Sequence, residues 1–280
     1  MSKIISIHSF RGGTGKSNIT ANVATIAARR GRRVGIIDTD IQSPGIHVLF
    51  GLDEKRIDRT LNDYLWGRCT VEEAAYDVAD IASASDRLPD RARSTPAASG
   101  AILEMGEGEV AVMGGGIHLI PSSLKAGEIA RVLREGYDVG VLGDGFQELL
   151  RRLDLDCLFI DTHPGLNEET LLSIAISDIL IVILRPDQQD YQGTAVTVDV
   201  ARKLEIPRMF LVVNKALPGL DFDDVRGKME RAYGCEVAAV LSLSEDMVRL
   251  ASGGIFCLRH PVHPLTQGLN AIADRILEGG

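Results

Sequence analysis

The sequence predicts an α/β fold, a doubly wound and mostly parallel sheet with helices on both faces, and three observations carry that expectation. Short β-branched runs alternate along the chain with segments of helical spacing. Most of those runs are nearly continuous in apolar residues, the pattern of strands buried on both faces of a parallel sheet. A glycine-rich turn, Ser9 to Asn18, joins the first run to the first helical segment.

The elements follow in order. Lys3–Ser9 is the first expected strand, with Ile4, Ile5 and Ile7 in it, and a helix over Lys16–Arg30 starts directly behind the turn. The strand Arg33–Asp38 comes next, then Ile117–Pro121, then a helix over Leu142–Leu153. Cys157–Thr162 is an apolar strand closing on an acid, followed by a helix over Asn167–Ile176. Ile179–Leu184 is the longest apolar run, far short of the roughly 18 residues that span a bilayer, and Asp178 directly precedes it. A helix over Gln192–Leu204, the strand Arg208–Asn214, a helix over Phe222–Tyr233, the strand Val237–Leu241 and a helix over Pro264–Leu277 complete the series. One stretch breaks the rhythm. Residues 82–116 carry Ser, Ala, Pro, Arg and Gly, then two short apolar pieces around Gly106-Glu107-Gly108-Glu109, and read as an inserted flexible loop or hairpin, either solvated or partner-binding. The organisation expected is one domain over 1–280 with that insertion.

Composition narrows the function classes. The 280 residues hold 30 Lys and Arg against 39 Asp and Glu, a net charge of −9, which argues against a broadly basic nucleic-acid binder. Aromatic residues are 5%, too few to favour base stacking as a recognition mode. Cys69, Cys157, Cys235 and Cys257 form no C-x-x-C pair, so a zinc or iron–sulfur site built by this chain alone is not expected and a reducing cytoplasm is. The start, Met1-Ser2-Lys3, leads into no long apolar region, consistent with a cytoplasmic protein.

The turn reads Ser9-Phe10-Arg11-Gly12-Gly13-Thr14-Gly15-Lys16-Ser17-Asn18. Strand, glycine-rich turn, Gly-Lys-Ser and helix form the context of a phosphate-binding loop. Glycines let successive N–H groups wrap an anion, the helix N-terminus adds partial positive charge, and the Lys16 ammonium can reach β- and γ-phosphates. The expected cradle is Gly12, Gly13, Thr14, Gly15, Lys16, Ser17 and Asn18, with the Ser17 hydroxyl on Mg2+. The form G-x-x-x-x-G-K-[ST] would need glycine at position 10, where this chain has Phe10, and Arg11 precedes the glycine pair.

Carboxylates close two strands. Asp38 and Asp40 end the second strand, at the rim where such sheets bind ligands, and their side chains point the same way. Shared burial there needs a cation, which Mg2+ and its waters supply. Asp38 is expected in the metal shell through water, with helix capping as the alternative duty for each acid. The run Asp156-Cys157-Leu158-Phe159-Ile160-Asp161-Thr162-His163-Pro164-Gly165 delivers Asp161 as a Walker B carboxylate is delivered to a metal. Ser17, Asp38 and Asp161 are thus the expected metal ligands. His163 reads either as a tolerated loop residue or as a group coupling the segment to pH.

Residues 11–18, 38–40 and 161–165 together resemble the deviant Walker A family of ParA/MinD partition and positioning ATPases, whose motif is K-G-G-x-G-K-[ST]. Arg11 stands where that family has its first Lys. The resemblance implies a SIMIBI-like P-loop NTPase fold and ATP with Mg2+ as the ligands. In the family the first Lys reaches across an ATP-bound dimer to the partner's phosphates, which the resemblance implies for Arg11, whose planar fork suits phosphate oxygens; a solvated loop cation is the alternative. It also implies that Asp40 orients the attacking water, so that the catalytic set is Arg11, Lys16 and Asp40. Asn214, with Lys215 beside it, is implied at the adenine, under a loop matching Leu243-Ser244-Glu245-Asp246. Guanine recognition would be expected to use N-K-x-D, and Leu217 stands at the Asp position, which favours ATP over GTP.

The function implied is a Mg-ATP-dependent dimerising ATPase switch that positions or partitions a cargo such as a chromosome, plasmid, division site or large complex. An ATP-binding regulatory module with little turnover is the alternative. The implied partners are a second copy of the chain and a protein that stimulates hydrolysis. Non-specific DNA is an open partner, through Arg29-Arg30-Gly31-Arg32-Arg33 or Arg226, Lys228 and Arg231, although the first cluster also reads as a helix C-terminal charge cluster. No direct membrane anchor is expected, because Leu269 to Gly280 reads as a last core helix with an acidic end. His260 and His263 lack an evident third metal ligand.

Overall fold

The computed structural model describes residues 2–80 and 115–278. The insertion expected at 82–116 lies outside the described residues except for Gly115 and Gly116.

Among the described residues one sheet of eight strands organises the fold, in the order β3-β4-β2-β5-β1-β6-β7-β8. The strands are β1 Lys3–His8, β2 Val34–Asp38, β3 Tyr76–Asp77, β4 Ile117–Ile120, β5 Cys157–Asp161, β6 Ile179–Leu184, β7 Arg208–Ala216 and β8 Glu236–Ser242. All neighbours run parallel except β3 and β4. Every strand read from an apolar run is present. The reason is two-sided burial. Ile5, Ile7, Ile36, Phe159 and Ile181 pack on one face against the helices Lys16–Arg29 and Pro264–Leu277. On the other face, Ile4, Ile37, Leu158 and Ile160 meet Leu142, Phe146 and Leu149 of the helix Val139–Arg152. Leu180, Val182, Leu211 and Val213 share that side with Val198 and Ala201 of the helix Gln188–Lys203 and Met229 of the helix Phe222–Tyr233. Each fully buried aliphatic side chain contributes about 1.5–3 kcal/mol, so a strand core of this kind is a large favourable term.

The differences from expectation have local causes. Strand β3 is two residues long and pairs antiparallel at the sheet edge, too short to carry a periodic pattern. The helix Ala126–Glu135 is an addition to the expected series; its apolar residues lie on one side, and Val132 is the one it buries. The helix Gln188–Lys203 starts ahead of Gln192 because Asp187 caps it, accepting the Asp190 N–H at 3.0 Å. Strand β7 continues past Asn214 to Ala216, with a register shift against β8.

The central trio β2, β5 and β1 positions the site. Ile7 pairs with Asp161 across one boundary and Asp38 with Asp161 across the other. Three strand ends therefore deliver His8, Asp38 and Asp161 to one rim, where the phosphate loop begins.

Candidate functional site

The turn after β1 is shaped for close backbone approach. Gly13 and Gly15 have φ of 76° and 97°, the left-handed region that glycine enters without a Cβ penalty. Gly15 immediately precedes the helix Lys16–Arg29, whose first turn has no side-chain cap. Its N–H groups are left for an anion, reinforced by the positive end of the helix dipole. Lys16 is buried and donates to the Ser9 hydroxyl at 3.3 Å, while Ser9 donates to the Arg11 carbonyl at 2.6 Å. Burial lowers the Lys16 pKa, and Asp161, Asp40 and Asp38 act against that. A cation held in low dielectric among three acids is strongly coupled to any phosphate that enters.

The acids outnumber their cation. Asp38 accepts the N–H groups of Asp40 at 3.0 Å and Gly45 at 3.2 Å; burial, then Asp161 and Asp40, push its carboxyl well up. Asp161 is pushed up to about 6, by burial first, while its bond to the Ser17 hydroxyl and the nearby Lys16 pull it back. The Thr20 hydroxyl also lies 3.4 Å from Asp161 Oδ1. Asp40 is less buried, and its Oδ1 is 2.7 Å from His163 Nδ1. Among the described residues no three His, Cys, Asp or Glu side chains form a self-sufficient metal centre. Magnesium does not need one, since it keeps several waters and takes one or two carboxylates plus phosphate oxygens. Ser17, Asp38 and Asp161 fit that donor set: hard oxygen, excess negative charge, and carboxyls whose burial favours the arrival of a cation.

A cavity of about 250 Å³ opens beside the turn, lined by Gly15, Asn18, Asn214, Leu243, Ser244 and Met247 among others. Asn214 sits on its wall with its amide engaged, Nδ2 donating to the Thr14 carbonyl at 2.7 Å. Lys215 Nζ donates to the Gly13 carbonyl at 2.7 Å. Both residues thus hold the far side of the phosphate turn. Of the segment Leu243-Ser244-Glu245-Asp246, Leu243 and Ser244 reach the cavity, and Ser244 caps the helix Glu245–Leu250. Arg11 is half-buried and forms no ion pair among the described residues.

Other sequence candidates resolve differently. His263 accepts the Leu265 N–H through Nδ1 at 2.9 Å, and both His260 and His263 lie against the Phe256 ring, so they serve packing and capping. In the basic clusters Arg30 pairs with Asp274 at 2.6 Å, Lys228 with Asp224 at 2.6 Å, Arg33 with Asp154 and Asp156, and Arg226 with the Val237 carbonyl. Much of that charge is locally engaged.

Three relationships escaped the sequence reading. The contact of Asp40 with His163 is one; its only signal would have been that both follow register-paired strand ends. His8 is the second. Thr162 donates its hydroxyl to the Ile7 carbonyl at 3.0 Å and stands 2.9 Å from His8 Nδ1, so Nδ1 carries the hydrogen and the buried Nε2 has no partner. Burial first, then Lys16 and His163, push this imidazole down to about 3. The third is Phe10, whose ring lies against Gly193.

Comparison with known proteins agrees with this geometry. The profile of the CobQ/CobB/MinD/ParA nucleotide binding domain matches residues 5–255. The uncharacterized ATP-binding protein MJ0547 of Methanocaldococcus jannaschii is 24% identical over 280 residues, covering 99% of this chain and 88% of that protein. An iron-sulfur cluster carrier protein of Pseudomonas fragi is 26% identical over 262 residues, 90% of this chain and 76% of its own. The septum site-determining protein MinD of Pyrococcus horikoshii, solved with Mg-ADP, superposes with a TM-score of 0.74 at 19% identity, covering 99% of this chain and 97% of that one, a likeness of fold.

Proposed function

The chain belongs to the CobQ/CobB/MinD/ParA nucleotide-binding domain family, and from that premise we propose that it is a Mg-ATP-dependent dimerising ATPase switch that positions or partitions a cellular cargo. The observation that carries the reading is Lys16, buried at the head of an uncapped helix and facing Asp38, Asp40 and Asp161. No simpler duty explains a buried ammonium beside an excess of buried carboxylates.

Each residue then has a task. The backbone N–H groups of Gly12 to Asn18 and the Lys16 ammonium bind the phosphates. Ser17, Asp38 and Asp161 would hold Mg2+, which supplies charge neutralisation at the β- and γ-phosphate oxygens. Asp40 orients the water that attacks the γ-phosphorus. Asn214 and the cavity wall at Leu243 and Met247 take the base, and the name of the Methanocaldococcus relative supports ATP as the nucleotide. Arg11, free of ion pairs among the described residues, reaches the phosphates of a second copy.

The reading treats 1–280 as one domain carrying the 82–116 insertion, working as an ATP-dependent homodimer in the cytoplasm, with slow turnover that a protein partner stimulates. The free thiols of Cys69, Cys157, Cys235 and Cys257 suit a reducing compartment. Non-specific DNA would be held by a local patch on the assembled dimer. No helix among the described residues is long and apolar enough to cross a membrane, and no direct anchor is proposed. Cys69, Cys157, Cys235 and Cys257 form no C-x-x-C pair, and cluster carriage is not part of the reading proposed.

Light scattering and single-turnover hydrolysis on the same samples test the reading. ATP with Mg2+ is expected to convert monomer to dimer and to be hydrolysed, Arg11→Ala to prevent both, and Arg11→Lys to retain both. If Arg11→Ala leaves both unchanged, the cross-dimer role is wrong. Dimers that form without turnover would favour the regulatory module instead. Co-sedimentation with DNA at several salt concentrations decides the surface; no ATP-dependent binding even at low salt removes that partner.

A further inference from the structure

The register of β2 and β5 does not stop at the sheet edge. Asp38 stands opposite Asp161, and two residues beyond each of these strand ends Asp40 meets His163, Nδ1 at 2.7 Å from Oδ1. A carboxylate only accepts, so the imidazole Nδ1 carries the hydrogen. The same Oδ1 also receives the Ser43 N–H at 3.2 Å, whereas Oδ2 receives no hydrogen bond among the described residues. One oxygen is anchored and the other is left open.

The anchor has a competitor. Lys16 attracts Asp40, while Asp38 and Asp161 repel it. With only the Ser43 N–H left on Oδ1, the Asp40 carboxylate would be less restrained against that pull, and Oδ2 would lose its fixed aim. His163 opposes this from a fixed place. Its carbonyl accepts the Thr170 hydroxyl at 3.3 Å, the preceding Thr162 hydroxyl is bound to Ile7, and Pro164 follows. The imidazole and the carboxylate are 21% and 17% exposed, so water competes weakly for their hydrogen bond.

We propose that His163 is the positioning residue of this site: its Nδ1–H holds Oδ1 of Asp40 so that Oδ2 faces the attacking water. The inference rests on the reading of Asp40 as the water-orienting carboxylate. His163 touches neither nucleotide nor water in this role and acts only through Asp40.

The test uses the full chain with Mg-ATP and reads single-turnover rate separately from nucleotide affinity, the latter by titration with a fluorescent ADP. His163→Ala removes the donor, and His163→Gln moves it to the wrong distance. Both are expected to slow hydrolysis by about 10- to 100-fold, the scale of a misplaced reacting group, with affinity unchanged. His163→Asn, whose amide N–H can occupy the place of Nδ1–H, is expected to recover most of the rate. In an Asp40→Asn background, His163→Ala is expected to cost nothing more, because the two act as one unit. Wild-type rates in His163→Ala, or equal loss of rate and affinity without rescue by Asn, would overturn the proposal while leaving Asp40 in its role. Wild-type rates in Asp40→Asn, or no hydrolysis by the wild type, would remove the reading of Asp40 and the inference with it.

Discussion

Asp38 and Asp161 face each other at the ends of neighbouring parallel strands, both buried, with their carboxyls pushed up by that burial. The unfolded Asp161 carboxyl releases its proton near 4, the folded one only at about 6. Between those values the folded state binds more protons, so this group's contribution to stability is present below about 4 and is lost as pH rises to about 6. Asp161→Asn removes the penalty. The nucleotide-free variant is expected to melt above wild type at pH 7.5, by at least about 2 °C, with a smaller gap at pH 5. Melting curves at both values check this; an unchanged gap would mean that Lys16 compensates the charge fully.

His8 titrates in the opposite sense. Its folded pKa of about 3 lies below the unfolded value near 6.5, so its stabilising contribution is present above 6.5 and is lost as pH falls toward 3. His8→Asn keeps an N–H for the Thr162 hydroxyl and cannot take up the proton. Its stability is expected to fall less steeply than wild type between pH 6 and 4, by at most about 1.4 kcal/mol per pH unit. Urea titrations of both proteins at matched pH isolate the difference from the contribution of Asp161.

A Cβ on Gly193 would overlap Cδ1 of the Phe10 ring. The helix Gln188–Lys203 thereby accommodates the large residue that the phosphate loop carries at position 10. Gly193→Ala is expected to cost about 1–3 kcal/mol by overpacking and to weaken nucleotide binding by displacing the neighbouring Arg11 turn. Phe10→Ala in the same chain should restore the melting temperature. Failure of that rescue would locate the cost in the helix itself.

Lys215 holds φ at 58°, which costs a non-glycine residue roughly 1–2 kcal/mol. What it gains is the 2.7 Å bond from Nζ to the Gly13 carbonyl. Lys215→Gly is expected to melt at or above the wild-type temperature and to bind nucleotide about tenfold more weakly, one hydrogen bond's worth of lost preorganisation. Lys215→Ala keeps the strain, loses the bond, and should be worse on both counts. Parallel melting and fluorescent-nucleotide titrations separate the two effects.

Contiguous chemistry was readable without coordinates. Gly12 to Ser17 reads as a phosphate loop because its donors lie next to one another in the chain, and Asp38 and Asp161 announce themselves by closing apolar runs. The runs themselves, such as Ile179–Leu184, were readable because burial on both faces leaves no polar alternation to mistake. Tyr76–Asp77 was not, since two residues carry no period, whereas the one-sided apolar pattern of Ala126–Glu135 was open to reading.

The sequence by itself determined the strands, the glycine-rich turn and the acids that close two of the strands, because each depends on residues close together in the chain. Only the tertiary structure decided what faces what. Asp40 and His163 are 123 residues apart and Asn214 and Thr14 are 200 apart, and they meet because the strand order sets β5 between β2 and β1 and brings β7 within reach of the turn. Local propensity makes the strands, but lateral packing chooses their neighbours, and that choice brought His163, read from the sequence as a loop residue or a pH-coupling group, into contact with Asp40.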